Sequence, residues 1–307
     1  MKKSLPTLTI AIPAHNEATN LPYVLNSIIS QRIKRFTLTR VIVMCDGCTD
    51  NTATVARSFK AKLPQLQVFD DKKWMGKSGR LNVILKRNRS DFLFLLDADL
   101  LLDRPTEIER LMKPFSDPNI ELVGAEFYPV DQENLLGKAS RISFLTILEA
   151  ALMWNDGKNF YTLVGGAQVL RRSLADRLSY PKGLVSDQSY TFAAATQHGM
   201  QSYAVAHGTR ILCRTVNTYY DWRLLGTRSI NKNKNDAITY FGKDVLADFT
   251  IPKKYFFITL LHWFTVEPLP TLVSLYMNLI IRMFPLTVNM SQGTWESTLS
   301  SKEAISK

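Results

Sequence analysis

The chain alternates between two hydrophobic periods over its first hundred residues. Residues 7–12, Thr-Leu-Thr-Ile-Ala-Ile, form a short apolar run that predicts a buried strand. Leu21, Val24, Leu25, Ile28 and Ile29 then recur at i, i+3, i+4, i+7 and i+8, the apolar stripe of a helix. A Val/Ile-rich stretch at 39–45 predicts a second strand. Thr49 and Asp50 offer caps for a helix running to about residue 60. A short strand at 66–69, a helix marked by Leu81, Ile84 and Leu85, and an apolar strand at 91–96 complete the series. Strand and helix in strict alternation imply an α/β fold with a mostly parallel sheet covered on both faces.

In such sheets ligands gather at the carboxyl ends of the strands, and the polar residues fall there. His15, Asn16 and Glu17 follow the first strand, Asp46 the second, and Asp97 and Asp99 the fourth. Beyond residue 100 the pattern loosens. A long helix is predicted over 135–154, a loop at Gly165-Gly166, a helix over 188–198 opened by Asp187, and two short strands over 201–213 around His207-Gly208. From 255 the character changes again. Residues 255–266 and 271–286 are nearly all apolar, separated by Glu267-Pro268-Leu269-Pro270. Each run is shorter than the ~20 residues of a membrane-spanning helix. They suit helices lying in a membrane surface, with Lys253, Lys254 and Arg282 toward anionic lipid; packing on the catalytic domain or a dimer interface would also account for them. Residues 290–307 are polar and read as a disordered tail.

Composition adds a charge. The net charge is +11, which favours anionic partners such as nucleotides or lipid headgroups. Arg32, Lys34, Arg35 and Arg40 form one basic cluster, and Lys72, Lys73, Lys77, Arg80, Lys86, Arg87 and Arg89 another; solvated basic faces would look the same. No nucleic-acid motif accompanies them, so nucleic acid is not expected as a partner. The three cysteines, Cys45, Cys48 and Cys213, make no disulfide framework, and Cys45-x-x-Cys48 lacks the second pair that a zinc site needs. No apolar signal segment follows Met1-Lys2-Lys3-Ser4, so a cytoplasmic location is expected, with peripheral contact at the inner face of the cell membrane as an option.

Asp97-x-Asp99, directly after an apolar strand, places two carboxylates on one turn, able to share a hard divalent cation with a diphosphate. Lys77 and Arg80 stand at the start of the preceding helix, between Gly76 and Gly79, where phosphate is favoured; a solvated basic helix start is the alternative.

Taken in order, Pro13-Ala14-His15-Asn16-Glu17, Cys45-Asp46-Gly47-Cys48-Thr49-Asp50, Gly76-Lys77-Ser78-Gly79-Arg80-Leu81-Asn82 and Asp97-Ala98-Asp99 resemble the family 2 glycosyltransferases of the GT-A fold over about residues 7–230. The resemblance implies a Rossmann-like, mostly parallel mixed sheet and an inverting transfer of sugar from a nucleotide-sugar, with uridine the usual base. It implies that Pro13, Ala14 and Glu17 line the nucleoside pocket and that Asp46 hydrogen-bonds the base. Lys77, Arg80 and Asn82 would lie beside the nucleotide and sugar. Asp97 would contact the ribose or sugar and share in the metal centre, and Asp99 would bind Mn²⁺ or Mg²⁺. Gly165-Gly166, followed by Arg171-Arg172, looks like the loop before the acceptor site, and Asp187 matches the catalytic base. Two departures stand out. Ser186 takes the place of the acid that usually precedes the base. In Leu225-Gly226-Thr227-Arg228-Ser229 only Arg228 survives of the motif that accompanies processive synthesis, which argues for addition of one sugar. Residues 1–250 are therefore expected to form the catalytic domain and 251–289 the apolar helices, with a lipid-linked or membrane-proximal acceptor. The strand-one loop lacks the Gly-rich turns of a nucleotidylyltransferase or a nicotinamide oxidoreductase. A degenerate transferase that binds nucleotide-sugar without turnover is the rival reading.

Overall fold

The computed structural model describes residues 4–130, 133–163, 166–184, 186–245 and 250–284, with side chains left out at 227–234. The polar tail after 290 lies outside the described residues. The first half follows the periodicity. Strand β1 (Thr7–Ala14), helix α1 (Leu21–Ile29), β2 (Thr37–Asp46), α2 (Thr52–Ser58), β3 (Leu66–Asp71), α3 (Gly76–Arg87) and β4 (Phe92–Leu96) succeed one another. β1 is hydrogen-bonded in parallel to β2 and β4, and β2 to β3.

The two-residue period of the strands divides the core between two faces. Leu8, Ile10 and Ile12 of β1 join Val41 and Val43 of β2 in the cluster that includes Leu21, Leu25 and Ala53 of α1 and α2. Ala11, Ile42, Met44, Leu93 and Leu95 point the other way, onto Leu81 and Ile84 of α3. Both faces are covered, so these strands read as apolar runs rather than as alternation.

The second half completes a mixed sheet. After β5 (Leu101–Leu102) and α4 (Glu107–Met112) come β6 (Leu122–Pro129), α5 (Leu135–Met153), β7 (Ala167–Arg171), α6 (Arg172–Arg177), α7 (Asp187–Thr196) and β8 (Tyr203–Cys213). The sheet order is β3-β2-β1-β4-β7-β6-β8-β5. β7 runs antiparallel to β4 and β6, which brings its first residue, Ala167, beside Leu96 at the end of β4.

The two strands expected around His207-Gly208 are one strand with a bulge. Pairing with β6 shifts register between Ala125 and Phe127, opposite Ala206 and Ile211. The bulge holds because Glu126 N–H donates to Thr209 Oγ1 at 2.7 Å, His207 Nδ1 lies 2.9 Å from Glu126 Oε1, and Gly208 takes φ +73°.

Three helices finish the described chain: α8 (Tyr219–Phe241), α9 (Lys253–Val266) and α10 (Pro268–Met283). The break expected at 267–270 falls at Glu267, and Pro268 opens α10, where its missing N–H costs nothing. α9 and α10 pack inward on α5. Trp263 is buried and donates Nε1–H to Glu149 Oε2 at 3.1 Å; Arg141 pairs with Glu267. Met277 and Ile281 close a third cluster with Ala139 and Trp222. No helix among the described residues is long and apolar enough to cross a membrane.

Candidate functional site

Two loops at the carboxyl edge of the sheet are sewn together. Asn16, in left-handed backbone at φ +54°, accepts from Thr49 N–H through its Oδ1 at 2.8 Å. Glu17 N–H donates to Thr52 Oγ1 at 2.8 Å, its carboxylate accepts from Asn20 Nδ2 at 3.0 Å, and His15 Nδ1 lies 2.6 Å from the Asp46 carbonyl. Pro13 and Ala14 end β1 buried beneath these loops.

Asp46 and Arg80 are enclosed. The Asp46 carboxylate accepts from the N–H groups of Met75 and Gly76, both at 2.8 Å, and from Arg80 Nε at 2.7 Å. Arg80 also pairs with Asp71, which lies beside Asp46 in the β2–β3 register, and donates to the Lys73 carbonyl. The Asp46 and Arg80 side chains are 0% and 1% exposed. Asp46 thus caps the start of α3, satisfying donors that a helix leaves open. The resemblance implied a base contact for Asp46 and a nucleotide-side position for Arg80. In this conformation the two groups face each other, because an arginine sealed in the fold needs carboxylates more than it needs solvent.

Asn82 is also turned elsewhere. Its Nδ2 donates to the Tyr180 carbonyl and its Oδ1 accepts from Tyr180 N–H, both at 2.8 Å. Ser78 Oγ donates to the Leu184 carbonyl at 3.2 Å. One face of α3 therefore fixes the 180–184 segment that leads into Asp187. Tyr180 and the partner of Ser78 escaped sequence reasoning because the pairing spans about a hundred residues of chain.

Lys77, one turn before Arg80, occupies a different setting. Its Nζ lies 2.8 Å from Asp97 Oδ2 and 3.4 Å from Asp187 Oδ1, and its side chain is 22% exposed. Asp99 adds its field to the same group. Asp187 opens α7, and the replaced residue before it has a clear part: Ser186 Oγ accepts from Ser189 N–H at 3.3 Å, capping the helix that carries Asp187. Ser186 N–H in turn donates to Asp236 Oδ2 of α8 at 3.0 Å.

Gly166 belongs to this centre through its backbone. Its carbonyl accepts from Asp97 N–H at 2.9 Å, its φ is +83°, and a Cβ there would stand 2.0 Å from Asp97 Oδ2. Only glycine fits. Gly165 and the Arg228 side chain, on α8, lie outside the described residues. Arg171 and Arg172 are at the opposite edge: Arg171 pairs in register with Phe92, the first residue of β4. The five residues of β7 carry the chain across the sheet from the Gly166 end to Arg171.

The electrostatics centre on Lys77, which feels the fields of Asp187, Asp97 and Asp99. Burial pushes the Asp97 carboxyl up to about 7, Lys77 opposes this, and Asp187 and Asp99 add to it. Burial works against the charge on Lys77, and Asp187 and Asp97 outweigh it, holding the ammonium above the usual lysine range. The hard oxygen donors of Asp97 and Asp99 fit a divalent cation. No group of three His, Cys, Asp or Glu side chains able to enclose an ion occurs among the described residues, so a metal held here would need further oxygens from a bound diphosphate or water.

Comparison with known proteins agrees with this frame. The model of glycosyl transferase family 2 matches residues 9–179. The 4,4'-diaponeurosporenoate glycosyltransferase of Staphylococcus aureus strain USA300 is 37% identical over 108 residues, 35% of this chain; the match spans only 28% of that protein. Among solved structures, the mannosyltransferase PcManGT from Pyrobaculum calidifontis, in complex with GDP-Man and Mn²⁺, superposes with a TM-score of 0.63 at 19% identity over 92% of this chain and 82% of that one. Staphylococcus aureus TarS 1–349 in complex with UDP-GlcNAc gives 0.50 at 14% identity over 92% and 93%. At such identities the structures speak for the fold, a GT-A fold with a mixed sheet. The family match covers more than half the chain and takes in every strand end that carries a carboxylate at the site: the chain belongs to glycosyl transferase family 2.

Proposed function

We propose that the protein transfers a single sugar from a nucleotide-sugar to an acceptor hydroxyl, inverting the anomeric carbon, with Asp187 as base. The observation that carries this reading is Lys77 held between Asp97 and Asp187 at the edge of the sheet. An incoming diphosphate offers Lys77 a stronger partner than Asp187. The ammonium then stabilises charge developing on the leaving group, and the freed Asp187 oxygen can take the proton from the acceptor hydroxyl. One base and an already activated donor suit direct displacement, with no second carboxylate in the role it has in a glycosidase. Asp97 and Asp99 would hold Mn²⁺ or Mg²⁺, which when bound supplies Lewis-acid stabilisation of the diphosphate. Pro13, Ala14 and Glu17 would border the nucleoside, and Arg228 would add a second cation.

Uridine was expected from Asp46. With that carboxylate committed to α3, the geometry leans less on any one base, so a donor panel should include guanosine as well as uridine sugars. The expected division into a catalytic domain at 1–250 and apolar helices at 251–289 is kept, with the helices as a membrane-facing element. Leu261, Leu272, Tyr276 and Leu279 leave the outer faces of α9 and α10 at least 54% exposed, and Lys253, Lys254 and Arg282 are exposed around them. Such a face suits peripheral contact with the inner, anionic surface of a membrane and a lipid-linked acceptor.

The test is nucleotide release from a panel of nucleotide-sugars with Mn²⁺, with Asp187→Asn as control. Release from one donor, absent in the variant, is expected. Mn²⁺-dependent nucleotide binding without release under any acceptor condition would favour a non-catalytic binding protein, and no nucleotide binding at all would overturn the reading. Loss of the Mn²⁺ dependence of binding in Asp99→Ala would place Asp99 at the metal; an unchanged dependence would remove it.

A further inference from the structure

Away from the carboxylate centre, a groove of about 490 Å³ runs between α5 and α9, lined by Glu149, Leu152, Met153, Ile258, Thr259 and His262. Its size lies within the roughly 300–1,000 Å³ of sites that take small molecules. The spacing explains the lining. Glu149, Leu152 and Met153 fall at i, i+3 and i+4 on α5, and Ile258 and His262 at i and i+4 on α9, so each helix turns one stripe to the other. Packing does not close the gap. Met153 is 47% and Ile258 51% exposed, which gives the mouth an apolar rim. Two of its polar groups are held by the fold: Thr259 Oγ1 donates to the Thr146 carbonyl at 3.0 Å, and Glu149 Oε2 accepts from Trp263 Nε1. Burial raises the Glu149 carboxyl above its ordinary value, against the Trp263 hydrogen bond and His262.

We infer that this groove takes one apolar chain of a membrane lipid, drawn in beside the outer face of α9 and α10. The inference rests on the membrane-facing reading given above for those helices. Three features choose lipid over other occupants. The rim at Ile258 runs directly into Phe257 and Leu261, so the groove opens onto the exposed apolar face rather than beside it. Lys253, Lys254 and Arg282 border that face with positive charge, complementary to an anionic bilayer. A second copy of the chain would bring its own net charge of +11 against the same rim.

Trp263 is a built-in reporter. Buried, it is held by Glu149 at its Nε1 and by Arg141 over its ring at 5.5 Å. The experiment measures Trp263 emission in the full chain, taken as the difference between wild type and Trp263→Phe. Two probes are used: 11-bromoundecanol in solution, and phosphatidylglycerol/phosphatidylcholine vesicles with brominated acyl chains. Saturable loss of most Trp263 emission is expected with each. Met153→Glu, at the groove mouth and off the α9–α10 face, should abolish quenching by bromoundecanol while still sedimenting with vesicles. Leu279→Glu, on the outer face, should do the reverse. Absence of saturable quenching by bromoundecanol overturns the groove as a chain site. Vesicle-bound protein whose Trp263 stays unquenched overturns the bilayer as the source. Wild type that does not sediment with vesicles overturns the membrane reading itself, and with it the lipid occupant.

Discussion

Lys77 and Arg80 stand three residues apart on α3, each between two carboxylates, and the fold treats them oppositely. Arg80 is 1% exposed and locked onto Asp46 and Asp71; Lys77 is 22% exposed and shares Asp97 and Asp187 with open space. One group holds the helix start in place, and the other stands partly open at the edge of the sheet. Arg80 and the Asp46 carboxylate satisfy each other inside the fold, whereas the partly exposed Lys77 can be reached by a ligand. Proximity on a helix thus says little about role; the degree to which each charge is already satisfied says more.

The comparison can be broken in order of effect. Asp187→Asn, in the open cluster, should lower turnover by roughly 10²–10⁴-fold, the usual worth of a general base, while donor affinity and thermal stability hold. Normal turnover would require another base. Arg80→Met, in the sealed pair, should act on stability instead, costing about 3–5 kcal/mol because the buried Asp46 carboxylate loses its charged partner. Urea unfolding of Arg80→Met beside Lys77→Met measures the contrast, and equal losses would erase the distinction drawn between the two cations. Gly166→Ala should cost on the order of 10²-fold in kcat/KM through displacement of Asp97, with an unchanged far-ultraviolet circular dichroism spectrum. An active Gly166→Ala enzyme would mean that Asp97 can move freely.

The smallest effect concerns the loop beside the sealed pair. The Cys48 thiol is drawn down to about 6 by a hydrogen bond with Cys45, against burial and with help from the Asn16 N–H. Since the folded value lies below the ordinary 9.0, the thiolate persists as pH falls to about 6. Iodoacetamide should therefore label Cys48 before the buried Cys45 and Cys213, with a rate that levels off above pH 7. A rate still climbing beyond pH 8 would show an ordinary thiol and a looser loop.

The alternating half of the chain was legible because local pattern and tertiary position coincide there. The strands at 7–12, 39–45, 66–69 and 91–96 and the helices between them are short, strongly periodic, and joined by tight loops. β6 and β7 were not foreseen. Val123 and Val169 pack in one face of the sheet but sit in sequences with no repeated alternation, and their pairing is long-range. α8 was missed as well: its polar composition leaves no clear apolar stripe, and it is held by contacts such as Trp222 in the third cluster. At the site, Asp97, Asp99, Asp187 and Lys77 were singled out from motif and strand end. Ser78 stood in the Gly76–Asn82 motif without a role, and Tyr180 and Asp236 carried no local mark, because their work is to hydrogen-bond segments distant in sequence.

The parallel half of the sheet and the edge at which its carboxylates gather could be read from the sequence, since they follow from periodicity and from residue types at strand ends, while the four motifs carried the resemblance to the family. The pairing of the charges there came from the fold. It paired Arg80 with Asp46, spent Asn82 on Tyr180, pressed Gly166 against Asp97 and placed Lys77 between Asp97 and Asp187. The same holds at α9 and α10, whose apolar runs are plain in sequence but whose inward and outward faces are set by packing on α5. Availability depends on what surrounds a group in space, and neighbours contributed by remote segments leave no trace in the local pattern.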